Sequence, residues 1–255
     1  MKGLKKIALG LVIPISIILV WIWSTQSGKI APSLLPTIEM VKIACIDMCK
    51  SGQLQSDLLV SIQRVLKGFL AASLLGITLG VIMGMFNPIR EMLEPLTTTI
   101  RQIPMIAWFP LIVLWFGIGE SSKVIIIVLA AFFPVLVNTL SGVANTPEGY
   151  VEVAKLYKLS RIKTFTKLYL PHAIPQILVG LKLGLSVSWM AVVAAELVAA
   201  TSGIGFRMND ARSMMRSDKV IVCMIVIGLV GILMDKLVTV LFNYLTPWQK
   251  IGHNK

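Results

Sequence analysis

Charged side chains are scarce in this chain, at 14% of its 255 residues, where soluble domains carry about a quarter. That scarcity, beside 56% hydrophobic residues, excludes a single soluble core. Histidine occurs twice and cysteine three times, too few for a metal site or a disulfide framework. Cys45 and Cys49 stand one helical turn apart, where side-chain directions suit a disulfide poorly. With Cys223 they read as small buried hydrophobes. No G-x-x-x-x-G-K-[ST] sequence is present, so the chain has no phosphate-cradling loop of its own. No grouping of nucleophile, base and acid suggests catalysis, and no cofactor is expected. Basic residues outnumber acidic ones 24 to 12, yet they flank apolar runs instead of covering one soluble face, which argues against nucleic acid.

What remains is apolar and long. A bilayer core of about 30 Å takes roughly 20 apolar residues in a helix, and the backbone there must satisfy its own hydrogen bonds. Six segments qualify: Ile7 to Trp23, Leu58 to Phe86, Ile103 to Gly117, Val124 to Gly142, Ala173 to Ala200 and Val220 to Leu245. The third is short and carries Pro104 and Pro110, so it is expected to kink or to reach back through Leu96. The first begins with Lys2, Lys5 and Lys6 but lacks a small-x-small cleavage pattern. Trp21 and Trp23 suit an interfacial belt, and an uncleaved anchor is expected. The division is an anchor and extracytoplasmic segment over 1–57, a membrane domain over 58–248 and a short tail over 249–255.

Lysine and arginine set the orientation. With the amino terminus inside, the inner side holds Lys2, Lys5, Lys6, Arg90, Arg101 and the basic loop Lys155 to Lys167, the direction expected of the positive-inside rule. Both termini are then cytoplasmic. The run Arg207, Arg212, Arg216, Lys219 falls outside. If helical, Arg212 and Arg216 share a face, and a positive vestibule would concentrate an anion. A solvated loop, or a docking surface for a binding protein, accounts for the same residues.

Inside the apolar segments, Gly68, Ala72, Gly76, Gly80 and Gly84 recur every four residues, a small-residue face that lets helices approach closely. Glu196 sits within the fifth span, where a charge usually meets a partner or a wet cavity; it reads equally as a pathway residue or as one half of an ion pair with Arg207. Lys182 either snorkels or pairs with Asp235. Asn138, in the fourth span, is expected to make an interhelical hydrogen bond or line a path. Trp189 and Trp108 read as packing residues or ligand stackers.

The loop 147–171 differs in kind. Thr146 is expected to cap a helix with Pro147 at its first position. A second short helix is expected after Ser160, stopped by Pro171. On composition the loop is either a docking surface or an amphipathic connector on anionic lipid. Its spacing is more specific. Glu152-Val153-Ala154, three residues, Lys158, nine residues, then Leu168-Tyr169-Leu170-Pro171 resembles the EAA loop of ABC importer permeases. That loop reads Glu-Ala-Ala, three residues, Gly, nine residues, Ile-x-Leu-Pro. Here valine replaces one alanine and Lys158 stands in place of the glycine, where lysine enters a left-handed turn only at a cost. The strings "SIQRVLKGFLAASLLGITLG", "PLIVLWFGIGESSKV", "AFFPVLVNTLSGV", "WMAVVAAELVAATSGIGF", "NDARSMMRSDKV" and "IGLVGILMDKL" extend the likeness over nearly the whole chain, toward the nitrate, sulfonate and taurine subgroup.

The resemblance implies an all-α polytopic protein with six transmembrane helices, the type I importer permease fold and cytoplasmic coupling helices. It implies a homodimer in the bacterial inner membrane, two ABC ATPase subunits and an extracytoplasmic solute-binding protein. Glu152, Val153, Ala154, Lys158, Leu168, Leu170 and Pro171 would couple to the ATPase. Glu196, Asn138, Trp189, Arg207 and Arg212 are the candidates for the solute path. Aliphatic sulfonates are the first choice of solute, with nitrate, taurine, bicarbonate or a pyrimidine precursor as alternatives. A self-contained secondary carrier, which would need several ion-coupling carboxylates, and a membrane scaffold that recruits a partner through the loop complete the readings.

Overall fold

The computed structural model describes the backbone of residues 2–28 and 30–245 and the side chains of 9–28 and 30–244. The expected tail 249–255, Trp248 and Lys29 lie outside the described residues, as do the side chains of Lys2, Lys5 and Lys6. The elements are α1 (Lys2–Gln26), α2 (Ile38–Lys50), α3 (Gln53–Met85), α4 (Asn87–Arg101), α5 (Met105–Phe116), α6 (Glu120–Ala144), α7 (Glu148–Leu156), α8 (Arg161–Thr164), a π-helical turn (Phe165–Tyr169), α9 (Leu170–Ala199), α10 (Ile204–Ser213) and α11 (Ser217–Leu245). Among the described residues there is no strand. The chain is an all-α polytopic membrane protein.

Five helices are long and apolar enough to cross a bilayer, and the count is six if the bent pair α4–α5 is taken as one span. That pair is the expected third segment, reaching back through Leu96 and broken at Pro104. Its two helices meet at 95°, because Pro104 starts α5 and a proline disfavours helical backbone at the residue before it. Ile103 therefore cannot continue α4. α4 itself is strongly amphipathic, with Arg90, Glu91 and Glu94 set against Ile89, Leu93 and Ile100.

The centre of the fold is α6, packed along α3 on one side and α9 on the other. The small-residue stripe explains the first contact. A Cβ added at Gly68 would lie 2.5 Å from Ile127 Cγ2, and one at Gly80 would lie 2.7 Å from Thr139 Cβ. Gly76 and Gly84 meet Val135 and Val143 in the same way. With no hydrophobic drive between helices in lipid, such van der Waals contact supplies the association. Gly180 and Gly184 repeat the device between α9 and α6.

Around this trio, α5 rests on α6, α10 and α11 pack against α9 and each other, and α2 packs against α11 and α3. α1 buries none of its apolar span within the protomer. Its tie to the rest is the Trp21 indole, which donates to the Pro36 carbonyl at 2.9 Å. The three cysteines are free. Cys223 is buried as expected, whereas Cys45 is half-buried and Cys49 exposed, since Cys49 lies on the outward face of α2.

Candidate functional site

The loop between α6 and α9 is built from local rules, and it departs from two expectations. Thr146 does not cap α7; Pro147 holds the N-cap position, with φ −57° and ψ 131°, and the Thr146 hydroxyl is buried without a partner. A proline with an extended ψ already turns the chain into the helix, so the cap falls one residue later. α7 ends in a left-handed residue, Lys158, with φ 50°. The Lys158 N–H donates to the Lys155 carbonyl at 2.9 Å and the Leu159 N–H to the Ala154 carbonyl at 3.0 Å, the paired bonds of a Schellman stop. The turn that glycine makes in the resembling loop is thus made here by lysine.

Pro171 does not stop the following helix either. Ser160 starts it, accepting from the Lys163 N–H at 3.4 Å, and one helical path then runs from Arg161 to Ala199. The proline ring would collide with the carbonyl four residues back, Lys167. The π turn just before it, with the Leu170 N–H bonded to Phe165 instead, widens the helix there. Leu170 and Tyr169 pack against Val143, Ala173 and Ile177, and Arg161 stacks over the Phe86 ring at 5.6 Å. Leu168 is half-buried and Pro171 exposed. Ala154 is buried, while Glu152 and Val153 face out beside Tyr150, Leu156 and Tyr157. Leu156 and Tyr157 are 80% and 77% exposed.

At the opposite end, polar groups converge in a knot. Arg64 of α3 donates to Glu196 of α9 at 2.7 Å, to Glu120 of α6 at 2.7 Å through Nε, and to the Ser202 carbonyl at 2.7 Å. Glu196 also accepts from the Ser61 hydroxyl at 2.8 Å and from the Gly205 N–H at 2.9 Å. Asp57 accepts from the Gly203 N–H at 3.0 Å and from Arg207 at 2.7 Å. The first N–H groups of α10 thus end on buried carboxylates and a hydroxyl, which supply the partners and the negative charge a helix start favours. Glu196 is 1% exposed and Arg64 2%. Such a pair is retained only when the remaining hydrogen bonds are met, and here they are. Gly203, at φ 108°, and Gly205 leave the space: a Cβ at Gly205 would lie 2.6 Å from the Val193 carbonyl.

Glu196 therefore pairs with Arg64 and not, as the sequence suggests, with Arg207, which is taken by Asp57 and lies 3.5 Å from Asp210. Arg212 and Arg216 do not share a helical face. α10 ends at Ser213, and Met215 is left-handed at φ 55°, which turns Arg216 toward Asp218 at 2.7 Å. Arg212 is exposed. Lys182 reaches Asp235 at 3.1 Å and Thr239 at 2.9 Å. The Trp189 indole donates to the Ile227 carbonyl at 3.0 Å, and its ring lies against Gly231. Asn138 bonds within its own helix, to the Pro134 carbonyl at 2.8 Å, because that carbonyl lies one turn back and within reach.

Asn138 also borders an open cavity of about 590 Å³ under the α4–α5 bend, with α6 and α9 as its floor. Arg101, Gln102 and Asn138 form its polar edge; Trp108, Leu129, Phe133 and Val187 form apolar walls. Glu196, Trp189, Arg207 and Arg212 do not line it. Among the described residues no cluster of His, Cys, Asp and Glu could hold a metal ion.

Comparison with known proteins places this arrangement. The chain is 36% identical over 238 residues to the taurine transport system permease protein TauC of Escherichia coli (strain K12), covering 91% of this chain and 86% of that one. It is 35% identical over 240 residues to SsuC of Bacillus subtilis (strain 168), a permease protein named for aliphatic sulfonates transport, covering 94% and 87%. It is 37% identical over 187 residues to the nitrate import permease protein NrtB of Leptolyngbya laminosa, covering 73% and 67%. The fold matches a crystal structure of an amino acid ABC transporter at a TM-score of 0.65 and 16% identity, over 78% of this chain and 97% of that one. Residues 72–251 match the model of a transport family. With its helical core and its loop between α6 and α9, the chain belongs to the family of binding-protein-dependent transport system inner membrane components.

Proposed function

We propose that this protein is the permease of an ATP-driven importer for a small anion, aliphatic sulfonates first, with nitrate, taurine, bicarbonate and pyrimidine precursors as alternatives within the family. Two copies form the path, each engages one ABC ATPase subunit, and an extracytoplasmic binding protein delivers the solute. Both termini and the loop 147–171 face the cytoplasm, and the knot around Glu196 faces out. Glu152, Val153, Ala154, Lys158, Leu168, Leu170 and Pro171 form or brace the coupling element. The permease hydrolyses nothing itself; the partner supplies the work, and each bound partner favours a different state of the bundle.

The carrying observation is the outward set of α7. A short helix beyond the ends of the spans leaves Val153, Leu156 and Tyr157 uncovered, beside the exposed Glu152. An apolar patch rimmed by charge marks an interaction site. A self-contained carrier fits less well, because the intramembrane carboxylate it would use, Glu196, is engaged on both oxygens. The test is Glu152→Lys in the assembled importer. Normal membrane insertion with loss of ATPase co-purification and of uptake supports the reading; uptake at the parent rate overturns it.

A further inference from the structure

We infer that the cavity under the α4–α5 bend is an anion site with an apolar chamber, built for a solute that carries one fixed negative charge and a short hydrocarbon tail. This rests on the importer reading above and adds the residues that would hold the solute.

Three observations carry it. First, the cavity has the size and make-up of a small-molecule site. Its 590 Å³ falls within the roughly 300–1,000 Å³ of ligand pockets, which are mostly apolar with a few placed polar groups. Second, its charge has one sign. Arg101 lines it, and no aspartate or glutamate does. Four other arginines meet carboxylates: Arg64 meets Glu120 and Glu196, Arg90 meets Glu94, Arg207 meets Asp57 and Arg216 meets Asp218. Arg161 lies over the Phe86 ring, and Arg212 is exposed and lines no part of this cavity. Arg101 has no such partner among the described residues. A guanidinium offers several donors in a fixed fork that fits a planar or tetrahedral oxyanion. Third, the depth is right. Leu129 stands about 14 Å and Asn138 about 27 Å along α6 from Glu120, at 1.5 Å per residue, against a bilayer core of about 30 Å. The apolar wall therefore lies inside the membrane past the sealed knot, and the Arg101 edge near the membrane's far face.

The groups then take distinct roles. Arg101 binds the anionic head, and the amides of Gln102 and Asn138 can donate to its remaining oxygens. Trp108, Phe133 and Leu129 enclose the tail. The 95° bend is what delivers Arg101 here, since a straight helix through Pro104 would carry it away from α9.

The experiment uses the whole importer in proteoliposomes, with its ATPase and binding protein, and butanesulfonate as the probe. Arg101→Met should cut uptake about tenfold or more, the range expected when one hydrogen-bonded charge partner is removed, while permease insertion and ATPase co-purification match the parent. Arg101→Lys should restore part of the rate. Trp108→Ala should weaken butanesulfonate uptake more than methanesulfonate uptake, because only the longer tail reaches the ring. Parent-level uptake in Arg101→Met overturns the site. So does loss of assembly in both Arg101→Met and Arg101→Lys, which would make the arginine a structural brace. A parent importer that moves nitrate but no sulfonate keeps the importer reading and overturns the apolar chamber. A parent particle whose loaded binding protein elicits neither uptake nor ATP hydrolysis sinks the importer reading itself.

Discussion

Arg64 on α3 and Glu196 on α9 meet at 2.7 Å, and both are almost fully enclosed. Around that contact α3, α6, α9 and the start of α10 are clamped together, since Glu120, Ser61 and Gly205 bond to one partner or the other. Removing Glu196 alone leaves a buried guanidinium short of an acceptor. Glu196→Ala should lower unfolding stability in detergent by about 3–5 kcal/mol, the cost of breaking a buried pair from one side. Glu196→Gln keeps an acceptor and should cost less. Thermal unfolding of the purified permease checks both; equal losses would contradict the clamp.

Close packing between α3 and α6 makes a second expectation. Gly68→Val places new carbon atoms against Ile127, which a Cβ would already approach to 2.5 Å. Overpacking of this kind costs about 1–3 kcal/mol. Gly228→Ala on α11, where a Cβ meets nothing within 4 Å, serves as the comparison and should be near neutral. The same unfolding assay reads both.

Lys158 pays for its left-handed backbone. Lys158→Gly should stabilise the permease by about 1 kcal/mol, because glycine enters that region without the steric cost. Lys158→Ile should destabilise the loop, since a branched side chain suits it worse. Limited proteolysis at the α7–α8 turn would report the change, faster for isoleucine and slower for glycine.

The π turn depends on Pro171. Pro171→Ala removes the ring that opposes an ordinary helical bond at Lys167, and the helix should relax toward α geometry. Deleting a one-residue bulge rotates the preceding turn by about 100°. Cysteines placed at Phe86 and Arg161, whose native side chains meet at their tips, stand farther apart than a disulfide spans. A longer thiol-to-thiol cross-linker should join them readily in the parent and poorly in the proline variant.

Much of this architecture is legible in the chain. The row Gly68, Ala72, Gly76, Gly80, Gly84 announces a helix contact before any fold is known, and α6 occupies it. Continued outward by one more step of four, the same row reaches Arg64, with Ser61 and Asp57 on the same face. That extension passes unnoticed in the sequence, because Arg64 lies inside the span begun at Leu58 and nothing near it in the chain names a partner. Its partners lie 56 and 132 positions away, a separation that periodicity cannot see. Glu196 is visible as an intramembrane charge, yet its partner is not. Arg207 is nearer in sequence, but Asp57 holds it. Thr146 and Pro171 mislead for a common reason: each follows a local rule that its neighbour overrides, Pro147 by turning the chain itself and the π turn by making room for the ring. The bend at Pro104 is signalled by composition, while its angle depends on packing and is not.

The unbroken path from Arg161 to Ala199, 39 residues, is a lever about 58 Å long at 1.5 Å per residue. One tip is tethered to the loop carrying Lys158, its middle borders the cavity at Leu183 and Val187, and its other tip bears Glu196. A push of a few ångströms on the loop tip has two places to dissipate, the Lys158 joint and the widened turn before Pro171. Whatever those two joints fail to absorb arrives at the far latch as a tilt, so the stiffness of two short backbone segments sets how much of the stroke is felt on the other side of the bilayer.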